Sequence, residues 1–226
     1  MMTLPSSFRS CLRHPIAVLE RLRADCSGLA LMEFAFSLPI FMGAGLYGAE
    51  LANYATVKMN VSQTALALAD NASRIGENGV LQDIRIYESD INDLFIGADY
   101  SNRKLNLATN GRIILSSLTQ NSSGGQWIQW QRCTGALSHA SSYGNAGDGA
   151  VGTSFAGMGP ASSRITAAAD TAVMFVEVAY RYQPLFTDAW LPGPEIITAV
   201  GAFNVRDDRD LTQIYTESGV TASTCA

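Results

Sequence analysis

The chain has 226 residues, enough for one ordinary domain or a domain with an appendage. At 47% hydrophobic and only 15% charged it is far from the composition of a disordered chain. A net charge of −5 supplies no basic face for a nucleic-acid duplex, and four cysteines are too few for a disulfide scaffold and wrongly spaced for zinc.

Residues 1–28 form a short basic leader, with Arg9, Arg13, Arg21 and Arg23 against Glu20 and Asp25. Leu29 to Ala49 then reads LALMEFAFSLPIFMGAGLYGA, with Glu33 as its one ionisable group. A helix of that length spans roughly 32 Å, about the thickness of a bilayer's hydrocarbon core. Positive charge beside an apolar span stays cytoplasmic, so everything after Glu50 is expected to be exported to the far side of the membrane. A cleaved secretory signal would end in a small-residue site, whereas here the apolar stretch runs on into more helix. From Glu50 to Ile75, Leu51, Tyr54, Ala55, Val61, Ala65, Leu68, Ala69, Ala72 and Ile75 recur at spacings of three and four, interrupted by Lys58. Gly76 and Gly79 stop the pattern. One long helix over 29–76 is predicted, with 29–49 as its transmembrane first half.

Residues 77–226 read as an exported domain. Glu88–Ile96 is a short helix. Lys104–Ala108 and Arg112–Gln120 read as strands joined at Thr109-Asn110-Gly111, whose Asn-Gly is a hairpin signal, and Gln126–Cys133 is a third strand. Ser138–Ser163, rich in Gly, Ser and Ala, reads as a long loop. Val173–Tyr182 and Ile196–Val205 are the strongest strands, separated by a loop with Pro184, Pro192 and Pro194. The fold class is α+β: a long helix packed on a small antiparallel sheet.

The junction Ser27-Gly28-Leu29-Ala30-Leu31-Met32-Glu33-Phe34 carries the functional reading. A basic leader ends in Gly28, an apolar span begins at Leu29, a Glu stands fifth after the Gly, an aromatic follows it, and Pro39 lies further on. This resembles the processing site of type IV pilins and pseudopilins. The resemblance implies cleavage after Gly28 by a prepilin peptidase, a mature chain starting at Leu29, and subunit assembly through Glu33, Phe34 and Pro39. Trp130-Gln131-Arg132-Cys133 and Val176-Glu177-Val178-Ala179-Tyr180-Arg181-Tyr182 are similar to TadE/TadF-like minor pilins of tight-adherence (Flp) pili, without separating TadE, TadF and TadG roles. The partners so implied are other pilin subunits, the peptidase, a motor ATPase and an inner-membrane assembly platform. The resemblance calls for no cofactor and no catalytic residue. A type II secretion pseudopilin, a general type IV minor pilin and a signal-anchored periplasmic enzyme or binding domain are the rival readings.

Physics gives Glu33 a reason to exist: an acid within a membrane span is costly and points to function. In a pilin its partner is the α-amine freed at Leu29 of a neighbouring subunit, a pairing that sets register more than it stabilises. Pro39 removes a backbone hydrogen bond and loosens the helix. Cys11 and Cys26 fall in the leader, leaving Cys133 and Cys225 as the exported pair. In an oxidising compartment they are expected to bridge, closing a loop worth about 4 kcal/mol, the alternative being two free thiols.

Other motifs are declined. Gly147-Asp148-Gly149-Ala150-Val151-Gly152 matches a dinucleotide fingerprint but lacks the strand before and helix after. His139 has no evident nucleophile and acid in a triad. Asp207, Asp208 and Asp210, flanked by Arg206 and Arg209, lack the spacing of a calcium loop and read as a solvated turn. Trp127, Trp130, Tyr180, Tyr182, Phe186 and Trp190 read as core rather than an adhesive patch.

Overall fold

A computed structural model describes Arg23 and residues 27–79, 82–188, 193–206 and 209–225. The chain divides into two compact units, Met1–Ala49 and Glu50–Ala226. Helix α1 (Ser27–Ala72) contributes to both and runs through Pro39. In the second unit it is followed by a two-stranded ribbon, β1 (Glu77–Gly79) and β2 (Gln82–Arg85), which the sequence reading did not include. Helix α2 (Glu88–Ser101) comes next, then a single helical turn, α3 (Leu107–Asn110). Four strands complete the fold: β3 (Gly111–Gln120), β4 (Gln126–Thr134), β5 (Val173–Arg181) and β6 (Ile196–Asn204). They form one antiparallel sheet in the order β4-β3-β5-β6.

The sheet is covered on both faces, which explains why β5 is buried along nearly its whole length. Met174, Val176, Val178 and Tyr180 face α1 and α2, whereas Val173 and Phe175 face a second cluster with Leu118, Ile128 and Met158. On the helical face, Val61, Ala65, Leu68, Ala69 and Ala72 of α1 pack with Ile91 and Phe95 of α2. Small residues bring the backbones close. A Cβ at Gly201 of β6 would lie 2.4 Å from the Ala65 carbonyl oxygen. The Glu88 carboxylate at the start of α2 receives Arg132 of β4 in a forked ion pair (Nε to Oε2 2.9 Å), nearly withdrawn from water.

The opposite face is covered by the long Gly/Ser-rich segment, which sheet side chains hold in place. Gln126 donates to and accepts from the Ala167 backbone (3.0 and 2.6 Å), Gln131 donates to Gly144 O and accepts from Ala146 N–H, and Asn121 donates to Gly149 O and Gly152 O. The C-terminal segment runs back past β2 and α2. Tyr215 N–H donates to Ile86 O, Cys133 N–H donates to Ser223 O, and Cys133 is disulfide-bonded to Cys225 with Cα atoms 4.9 Å apart.

Four sequence expectations are corrected. Lys104–Ala108 is not a strand. Leu105 and Leu107 are both buried in the same core, so their alternation marks two anchors of a turn that leads into α3. Asn110-Gly111 therefore makes no hairpin: Asn110 N–H closes a helical bond to Asn106 O, and Gly111 opens β3, which pairs with β4 and β5. The short helix predicted over 88–96 extends to Ser101, and α1 ends at Ala72 rather than near residue 76.

Candidate functional site

In the first unit, α1 is apolar all round. Leu29, Met32, Phe34, Phe36, Ile40 and Phe41 expose between 58% and 74% of their surface, and no residue from Gly28 to Ala49 is buried. Among the described residues, none of the helix's most apolar stretch is buried. The helix is thus long and apolar enough to cross a membrane. Glu33 and Leu29 are one turn apart on a single face, and Glu33, Phe34 and Pro39 are all exposed. Among the described residues Glu33 makes no ion pair. A Cβ at Gly28 would meet nothing within 4 Å among the described residues.

In the second unit, the helix begins with a residue that the sequence reading passed over. Glu50 is fully buried, and its carboxylate accepts from the Tyr182 hydroxyl (2.5 Å), Leu185 N–H (3.0 Å) and Phe186 N–H (3.3 Å). Asn53 donates to the same hydroxyl at 2.7 Å, and the Tyr54 ring meets the Tyr182 ring edge-on. Burial, reinforced by the Glu50 carboxylate, pushes the Tyr182 hydroxyl up to about 12. A signal was present. Tyr54, Val57, Val61, Ala65, Leu68 and Ala72 form the stripe that packs, and counting back four from Tyr54 lands on Glu50. Leu51 and Ala55, which the sequence placed on that stripe, are exposed, as is the interrupting Lys58.

No family model, curated protein or solved structure matches the chain. Its chemistry is therefore read from its own geometry.

Arg209 was also misread. Rather than belonging to a solvated turn, it is buried and donates to Ser73 O (2.6 Å) and Ala72 O (3.4 Å), capping the C-terminal carbonyls of α1 with positive charge. Asp207 and Asp208 lie outside the described residues. Asp210 accepts from Thr212 and Tyr215, which hold its carboxyl below the usual range. Among the described residues no cluster of His, Cys, Asp and Glu is arranged to hold a metal. His139 and Glu177 are near neighbours, but Ser141 donates directly to Glu177 and Ser142 N–H donates to the other carboxylate oxygen at 2.9 Å. The acid thus holds the hydroxyl itself, without an imidazole between them. The glycines of 147–152 lie in the segment that covers β4, where Gly147 N–H donates to Ile128 O. Trp130, Tyr180 and Tyr182 are core residues, Trp127 is half-buried, Phe186 is exposed, and Trp190 lies outside the described residues.

Proposed function

We propose that the chain is a minor pilin or pseudopilin of a Flp/Tad-type pilus. It enters the inner membrane once, with residues 29–49 as the span, the leader cytoplasmic and the sheet domain periplasmic. A prepilin peptidase cleaves after Gly28, and the mature subunit assembles with other pilin subunits through α1, becoming part of the pilus at the cell surface. Glu33 then pairs with the new α-amine at Leu29 of a neighbour. The reading assigns the chain no catalytic role.

The observation that carries this reading is apolar helix surface that is left exposed among the described residues and that extends beyond the span. Leu51, Met59 and Leu66 remain 49%, 54% and 48% exposed and lie on one side of the exported half. A helix serving only as a lipid anchor has no use for them past residue 49. Helices packing against one another along their length do.

The test is co-expression of the full chain with a prepilin peptidase, followed by intact-mass measurement. The expected product has lost residues 1–28, and Gly28→Leu remains untrimmed. Gly28 is exposed and a Cβ there meets no described neighbour, so the variant leaves the packed core untouched. A wild-type chain that is never trimmed overturns the proposal.

A further inference from the structure

The loop between β5 and β6 is fastened to the first exported turn of α1. Leu185 and Phe186 give their backbone N–H groups to Glu50, Tyr182 gives its hydroxyl, and Gly193 sits so close to Tyr54 that a Cβ there would lie 2.4 Å from the ring hydroxyl. With the amides turned inward to the carboxylate, the side chains face out. Leu185 is 58% exposed and Phe186 48% exposed, and no charged residue occurs from Tyr182 to Thr187. A loop that spends two amides on a buried acid while presenting two large apolar side chains to the surroundings is organised for an apolar surface.

Its place in the chain names that surface. Glu50 is the first residue after the 21-residue apolar span Leu29–Ala49. A span of that length brings residue 50 to the edge of the hydrocarbon core. The Leu185 and Phe186 amides are hydrogen-bonded to that residue's carboxylate at 3.0 and 3.3 Å. We propose that Leu185 and Phe186 form a second, shallow membrane contact, seated among the headgroups of the bilayer that α1 crosses. The inference rests on the reading of 29–49 as a membrane span. Aromatic and aliphatic side chains partition into that interfacial layer. Glu50 is already satisfied, since the Tyr182 hydroxyl and the two loop amides occupy both carboxylate oxygens.

The test uses the full chain with Cys11 and Cys26 replaced by Ser and the Cys133–Cys225 bridge intact. A single cysteine at Leu185→Cys carries an environment-sensitive fluorophore, and the protein is reconstituted into phosphatidylcholine/phosphatidylglycerol vesicles containing headgroup or acyl-chain nitroxide lipids. Parallel labels at Phe36→Cys and Val151→Cys mark the span and an exposed site far along the covering segment; all three positions are exposed, so the core is untouched. The expected result is that labels at 36 and 185 are both quenched several-fold more than the label at 151, with the label at 185 responding most to headgroup nitroxide. Quenching at 36 with position 185 as silent as 151 overturns the shallow contact and leaves the span standing. That outcome points instead to a protein partner for the loop. Silence at 36 overturns the span and the inference with it.

Discussion

The two halves of α1 share one backbone and differ in what covers them. From Gly28 to Ala49 nothing is buried, and the bulk of Phe34, Phe36, Ile40 and Phe41 points to the surroundings. From Glu50 to Ala72 the packed stripe is built around small residues, with Ala65, Ala69 and Ala72 at 0% exposure against the sheet. Large apolar side chains thus stand where the chain offers no cover, and small ones where its sheet approaches. The first half is long and apolar enough to cross a membrane, and the second packs into a protein core.

The largest expected effect lies with the tail that closes the packed half. The Cys133–Cys225 bridge spans 92 residues and holds the segment whose Arg209 caps α1. Reducing it in detergent-solubilised full chain should cost about 4 kcal/mol in urea unfolding followed by tryptophan fluorescence. The helicity of residues 28–49 should be unchanged. Two reactive thiols before any reductant is added would remove the bridge from the account.

Next in size is a matched pair of truncations. Leu68→Ala removes a side chain 2% exposed and should destabilise by about 2–5 kcal/mol. Leu38→Ala, at a position 40% exposed in the first half, should leave urea unfolding of the second unit unchanged. Equal losses at the two positions would collapse the contrast between the halves.

The sequence was most legible where one property suffices. The apolar helix over 29–49 is pure composition, and β5 and β6 are dense β-branched and aromatic runs. It was least legible where a residue's role depends on a distant partner. Arg209 looks like part of a charged turn until the α1 carbonyls, 137 and 136 positions earlier, are placed beside it. Glu50 looks like the polar end of a span until Tyr182 arrives 132 positions later. Leu105 and Leu107 alternate like a strand, yet Asn106 between them takes a left-handed φ of 47°, and Leu105 N–H and Asn106 N–H close turns onto Asn102 O and Arg103 O. The Gly/Ser-rich segment is unstructured by its own composition. It gains a fixed course because Gln126, Gln131, Asn121 and Glu177 of the sheet region supply its hydrogen bonds.

A smaller effect probes the boundary between the halves. Tyr182→Phe keeps the ring against Tyr54 but takes one donor from the buried Glu50 carboxylate, with an expected loss of about 1–3 kcal/mol in the same urea assay. The wild-type hydroxyl, pushed up to about 12, should ionise late in a tyrosinate absorbance titration, and that late component should vanish in the variant. A variant with unchanged stability would mean that the Leu185 and Phe186 amides alone satisfy Glu50.

The smallest effect tests the other face of the sheet, where Glu177 of β5 holds the covering segment. Burial raises its carboxyl above the ordinary 4.5, outweighing the Ser141 and Ser142 hydrogen bonds and the nearby His139 that act the other way. The sign follows from linkage. The folded chain holds this proton more tightly than the unfolded chain does, so the stabilisation is fully present below 4.5 and is lost as pH rises through the folded value. Glu177→Gln has no proton to lose. Its amide oxygen can still accept from Ser142 N–H, and its amide nitrogen can donate to the Ser141 hydroxyl. Urea midpoints taken from acid to neutral pH should therefore fall more steeply for wild type than for the variant, with a differential slope of at most about 1.4 kcal/mol per pH unit. Parallel pH profiles would show that water reaches Glu177 in the folded chain, and that this face is less tightly covered than the helical one.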